Sequence, residues 1–277
     1  MTAPRVAVVG HVEWVEFLRV AHVPAAGEIV HASDVFAQAA GGGAVAAVQL
    51  RKLAGSCVFF TALGDDPVGR RTADDLLSRG VGLRVAWRED SHRRAVTFVD
   101  DAGERTIAVL GDRIVPTGSD PLPWDELASF DAVFVTAGDA GAICAARAAK
   151  TLVATSRILP VLADAGVELD ALAGSDGDAS ERYRPGDLDP PPRYAVMTAG
   201  ARGGTVLRPG AAPQPFVAEA LPGPIGDAYG AGDSFAAGLT YGLGAGMSIA
   251  DAVRLGARCG AHCMAGRGPY DGQLELA

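Results

Sequence analysis

Residues 6–10 form an unbroken apolar run ending in Gly10, the pattern of a strand buried on both faces. From residue 11 to Phe36 apolar and polar side chains alternate, with a break at Pro24 and at Gly27-Glu28, which predicts extended strands with one solvated face. Ala40-Gly41-Gly42-Gly43 then turns into an apolar segment carrying Val45, Leu50 and Leu53, the spacing of a helix. Gly64-Asp65-Asp66-Pro67 precedes a second helical pattern through Leu76 and Leu77 to Gly80, and capping explains either aspartate. Residues 95–100 and 105–110 read as two strands joined by the hairpin composition Asp101-Ala102-Gly103-Glu104. Beyond residue 131 the pattern is strand 132–136, glycine turn 138–141, helix 143–150 and strand 151–155. A strand with its loop follows in 169–178, then a proline-rich linker at 186–193 and a strand at 194–198. Near the C-terminus Phe235, Leu239 and Leu243 share one helical face while Gly238, Gly242 and Gly246 form a small-residue stripe, and a further helix is predicted over 250–264. Strands alternating with helices predict βαβ units and a parallel sheet.

With 277 residues, 49% hydrophobic and 21% charged, the chain is expected to form one α/β domain over 1–277. The extended stretches at about 12–38 and 86–110 are expected to stand apart as a small β lid. A formal charge of −9 argues against a nucleic-acid partner, since basic residues occur only as short pairs such as Arg70-Arg71 and Arg93-Arg94. No stretch reads as a signal peptide or a membrane span, so the expected location is cytoplasmic. The cysteines at 57, 144, 259 and 263 lack zinc-site spacing and read as small buried thiols. The only lysines are Lys52 and Lys150, which excludes a Walker-type phosphate loop, and Gly10-His11-Val12-Glu13 fails the dinucleotide fingerprint.

The stretch with the most chemistry is 222–235, where glycines lead straight into the helix that carries Phe235. A helix N-terminus there offers the free N–H groups of Gly230, Ala231 and Gly232 to an anion. Asp233 has two readings: an acidic residue that complements the helix dipole, or a base that takes the proton of a hydroxyl beside a bound phosphate.

Asp227-Ala228-Tyr229-Gly230-Ala231-Gly232-Asp233 resembles the D-T-x-G-A-G-D signature of the ribokinase-like (PfkB) carbohydrate kinases, with Ala228 in the threonine position. Gly41-Gly42, the Gly64/Asp66/Gly69 element and Thr198-Ala199-Gly200-Ala201-Arg202-Gly203 resemble further motifs of that family. The resemblance implies a three-layer α/β/α sandwich with a mostly parallel central sheet and a β lid. It also implies an ATP-dependent phosphotransferase acting on a hydroxyl of a sugar. Asp233 would be the catalytic base and Gly230, Ala231 and Gly232 the anion hole. Thr198, Gly200, Gly203 and Asp227 would lie on the cofactor side, and Gly41 and Gly42 on the substrate side; Glu13, near the lid, and Asp139, just past a strand's carboxyl end where open α/β sheets bind ligands, are substrate-side candidates from their positions alone. Magnesium is implied with the ATP, and Asp178 is the nearest equivalent of the family's metal-linked carboxylate. Potassium activation and a homodimer through the lid are admitted as well.

Two departures bear on substrate. Val15 and Val45 stand where the family has a sugar-binding aspartate and asparagine, and neither valine can donate or accept a hydrogen bond. His11, Glu13, Trp14 and Glu16 are candidates for a rearranged polar set. Three readings therefore stay open: a sugar kinase; a nucleoside kinase using Val15, Val45, Trp14 or Phe17 against a base; and a regulatory protein that has lost activity.

Overall fold

The computed structural model describes residues 3–276. Strand β1 (Val6–Val9) is buried at every position and lies inside a nine-stranded sheet, third from one edge. Its side chains alternate as the period of two demands, Val6 and Val8 into one core, Ala7 and Val9 into the other. The chain then leaves the sheet to form β2 (Glu13–Arg19) and β3 (Asp34–Ala40), and returns as α1 (Gly42–Ala54), β4 (Val58–Gly64), α2 (Pro67–Ser78) and β5 (Gly82–Arg88). A second excursion builds β6 (Arg94–Val99) and β7 (Arg105–Leu110). Next come β8 (Ala132–Val135), α3 (Ala140–Ala146), β9 (Thr151–Thr155), α4 (Leu159–Ala165), β10 (Ala171–Ser175) and β11 (Ala195–Thr198). The antiparallel pair β12 (Gly204–Leu207) and β13 (Gln214–Phe216) is followed by α5 (Ala231–Gly244) and α6 (Ile249–Met264).

The large sheet has the order β13-β12-β11-β10-β9-β8-β1-β4-β5, parallel from β5 to β11 and antiparallel at the β12–β13 edge. Helices α1, α2, α5 and α6 pack on one face and α3 and α4 on the other, the three-layer α/β/α sandwich expected from the resemblance. The order reverses at β1, which pairs with β4 on one side and β8 on the other, so the crevice beyond the carboxyl ends of β1 and β8 is the ligand position of an open α/β sheet. The small sheet, β3-β2-β6-β7, stands over that end. No helix among the described residues is long and apolar enough to cross a membrane.

Several boundaries differ from the sequence reading. Residues 86–88, expected in the lid, belong to β5, which extends the β4 edge of the large sheet through Ala62–Ala86 pairing, and the second lid excursion starts at Arg94. The helix read over 143–150 is α3 at 140–146, because Asp139 caps it early. Asp66, as foreseen, caps α2, accepting from the Gly69 amide at 2.7 Å. In the small-residue stripe, Cβ atoms on Gly238 and Gly242 would come within 2.8 Å of α6 atoms, so these glycines set the α5–α6 distance. Gly246 takes no part: it lies past the helix end with φ 76°.

Candidate active site

Helix α5 starts at Gly230, whose φ of 81° suits glycine, and no side chain caps it. The amides of Gly230, Ala231 and Gly232 meet no acceptor among the described residues, and a Cβ on Gly232 would meet open space. Asp233, in the first turn, is partly buried at the floor of this opening. Burial pushes its carboxyl up to about 6, with the charge of Glu181 acting in the same direction and Arg105 and Arg157 opposing. The α1 entry closes on it from the other side: a Cβ on Gly42 would lie 2.8 Å from Asp233 Oδ1. Glycine at 42 is thus what lets the carboxylate reach the crevice.

Gly41, with φ 90°, abuts both Glu13 and His11; its Cβ would lie 3.3 Å from Glu13 Cγ and 3.4 Å from His11 Nε2. Its amide donates to the Tyr229 hydroxyl at 3.0 Å, tying α1 to the loop before α5. His11 is only 8% exposed, and burial with the neighbouring charges of Arg113 and Arg93 holds it neutral, its pKa lowered to about 3. Glu13, 7% exposed, forms an ion pair with Arg93, Oε2 and Nε 2.9 Å apart. Burial raises the Glu13 pKa and Arg93 opposes it. His11 Nδ1 is buried with no hydrogen-bond partner among the described residues.

The structure thus brings together Gly230, Ala231, Gly232, Asp233, Gly41, Gly42, Glu13 and His11. Other expected residues have different work. Asp139 accepts from the Ala142 and Gly118 amides, both at 2.8 Å, and is a helix cap rather than a substrate group. Asp227 is buried, accepts from the Tyr229 amide at 2.8 Å, and has its pKa raised by burial; it shapes the loop entering α5 instead of presenting its carboxyl to a cofactor. Gly203 is required by φ 83° and by the close approach of Phe216; Gly200 also has a left-handed φ of 58°, but a Cβ there would meet open space. Thr198 ends β11 and donates to the Gly174 carbonyl at 3.1 Å.

Asp178 does not fit the role of magnesium ligand. It accepts from Arg157 at 3.0 Å and from the amide and hydroxyl of Ser180 at 2.9 and 2.7 Å, and Glu181 also binds Arg157. Both nearby carboxylates are therefore neutralised by a guanidinium. Among the described residues no three His, Cys, Asp or Glu side chains gather as a metal cage.

The two valines are core residues. Val15 is fully buried in β2, and Val45 packs on the nest itself, its Cγ1 2.8 Å from where a Cβ on Gly230 would be. The sequence reading missed Arg157, Glu181 and Arg113. Arg157 follows the carboxyl end of β9, a position that marks ligand contacts in such sheets, but an isolated arginine in a loop carries no periodic signal.

The architecture and the glycine-rich helix entry define a ribokinase-like protein. The profile of the pfkB family carbohydrate kinases matches residues 3–165 and 167–275, and the chain belongs to that family. A ribokinase from Dictyostelium discoideum is 29% identical over 108 residues, 38% of this chain and 34% of that protein's length. Among solved structures, a microbiome-derived acarbose kinase superposes with TM-score 0.80 at 24% identity, covering 99% of this chain and 96% of its own. An Arabidopsis thaliana ribokinase complexed with ribose and ATP superposes with TM-score 0.73 at 18% identity, covering 98% and 96%.

Proposed function

We propose that this protein transfers the γ-phosphoryl group of ATP to a hydroxyl of a sugar. The observation that carries the reading is Asp233, a carboxylate with pKa raised to about 6, set between an uncapped helix N-terminus and the Gly42 opening. The amides of Gly230, Ala231 and Gly232 receive the negative oxygens of the phosphoryl group. Asp233 takes the proton of the acceptor hydroxyl as its oxygen forms the new bond to phosphorus; the bond from phosphorus to the β,γ-bridging oxygen breaks, and ADP leaves with that electron pair. Among the described residues no carboxylate cage for magnesium is present. Thr198 and the free Gly200 edge lie beside β10 and β11, the side left for the nucleotide.

Two findings favour a sugar acceptor over the other readings. Val15 and Val45 are packed in the core, so they do not line a pocket for a base. The Asp233 carboxylate, the glycines beside it and the buried pair His11 and Glu13 support an active protein over one that has lost activity. ADP release screened over sugars and nucleosides, with magnesium present and potassium exchanged for sodium, tests the reaction, the acceptor and the cation together. Asp233→Asn should lower turnover about 10²- to 10⁴-fold while ATP affinity persists. An Asn variant with wild-type turnover would reduce Asp233 to a helix-terminal charge.

A further inference from the structure

The segment beyond α6 folds back over the elements that frame the site. Tyr270 anchors it: the hydroxyl donates to the Ala39 carbonyl near the end of β3 at 2.6 Å, and the carbonyl accepts from Lys52 Nζ of α1 at 2.6 Å. Gln49, also on α1, donates to the Leu274 carbonyl at 2.8 Å. Between these anchors stands the buried Gln273, whose Nε2 donates to the Val45 carbonyl at 3.0 Å and to the Ser234 hydroxyl oxygen at 3.2 Å. A carbonyl can only accept, which fixes the nitrogen side of the amide toward Val45.

The two partners sit at the helix starts on either side of the crevice. Val45 lies in α1 just after Gly42, and its side chain packs on Gly230. Ser234 follows Asp233 directly in α5 and is fully buried. Among the described residues no hydrogen bond runs directly from α1 to α5, and the Gln273 amide spans the interval between them. It is the same interval in which Gly42 faces the Asp233 carboxylate. A primary amide is a costly group to bury, and Gln273 Oε1 has no partner among the described residues, so an apolar side chain of equal size would serve packing better. What the amide adds is direction. The apolar contact of Val45 with Gly230 lets the helices slide, whereas two hydrogen bonds from one nitrogen fix their separation.

We propose that Gln273 is a positioning residue: by bridging Val45 and Ser234 it sets the separation of the α1 and α5 starts and so holds the Asp233 carboxylate at the acceptor hydroxyl. The inference rests on the phosphotransferase reading for what turnover means, but the placement of Asp233 is measurable without it.

Three variants of the full chain test the bridge. Gln273→Met keeps the length of the side chain and removes both donated bonds. Gln49→Met removes a bond of the same segment that does not reach α5, and controls for a loosened C-terminus. Ser234→Ala removes one arm of the bridge. Misplacing a reacting group by about 1 Å costs up to about 10²-fold, so Gln273→Met is expected to lower kcat about 10- to 100-fold. The KM for ATP should hold, because the amides of Gly230, Ala231 and Gly232 move together with α5. Gln49→Met should lower the urea midpoint and leave kcat in place. Ser234→Ala should lower kcat less than Gln273→Met does, and combining the two should cost nothing further, as for residues that share one interaction.

A second reading needs no turnover. The pH dependence of unfolding, compared in each background with and without Asp233→Asn, isolates the titration of that carboxylate. Burial and the charges of Glu181 and Glu13 hold it up at about 6, against Arg105 and Arg157. Gln273→Met alters none of these charges, so water entering a widened gap should lower the midpoint by at least about one pH unit, toward the ordinary aspartate range. If Gln273→Met does not fold, both readings are taken on Ser234→Ala, the smaller change. A kcat and a midpoint equal to those of Gln49→Met overturn the proposal. A lowered midpoint in a chain that releases no ADP with any acceptor upholds the bridge and overturns the phosphotransferase reading instead.

Discussion

A carboxylate that must accept a proton from an alcohol works best when its own pKa is close to the working pH. Burial brings Asp233 to about 6, so turnover at limiting acceptor should rise with pH through about 6 and level off above 7. The same shift has a cost in stability. An aspartate in the unfolded chain titrates near 3.9, so the native state holds this proton more tightly. The stability contributed by the group is therefore complete below about pH 4 and is lost as pH rises through 6, a difference of at most about 3 kcal/mol. Asp233→Asn lacks this titration and should gain stability relative to the native sequence between pH 4.5 and 8. Chemical denaturation of both proteins at those pH values checks the sign, and parallel curves would mean that the carboxyl is not desolvated.

At the scale of elements, the site depends on two helices that approach through glycine. A Cβ at Gly238 would lie 2.8 Å from Cys259 Sγ and from Gly256 Cα. Gly238→Val gains helix propensity yet must push α6 away, and overpacking of this kind costs about 1–3 kcal/mol. A urea midpoint no lower than that of the native sequence would show that the helices can separate freely. This contact was legible beforehand, because small residues spaced four apart on one helix announce a close neighbour; so was the 227–233 signature, whose parts are consecutive. What escaped was contact across long separations. Asp178 looked like a metal ligand until Arg157, 21 residues away, was found bound to it. Asp139 looked like a substrate group until the distant Gly118 amide joined the adjacent Ala142 amide on its carboxylate. Residues 86–88 alternate like lid strands, and only pairing with β4 places them in the main sheet.

For the molecule as a whole, the lid has an outward strand with little cover. Every residue of β7 is exposed, and Ile107, Val109 and Leu110 lie on this unpaired edge. Such an edge invites a partner, and a second copy of the chain through its lid is the occupant we propose. Sedimentation should report a dimer that Val109→Lys dissociates; a monomer at all concentrations would count against it.

The lid is also fastened to the loop that sets the phosphate nest: Arg19 donates to the Gly226 carbonyl at 3.1 Å, Arg105 to that of Ala228 at 3.3 Å, and the Ala228 amide to Gly103 at 3.2 Å. On the phosphotransferase reading, whatever settles the lid over an acceptor thereby steadies the loop leading into the proposed anion hole. Linkage makes such help mutual, so each ligand should raise the other's affinity by one common factor.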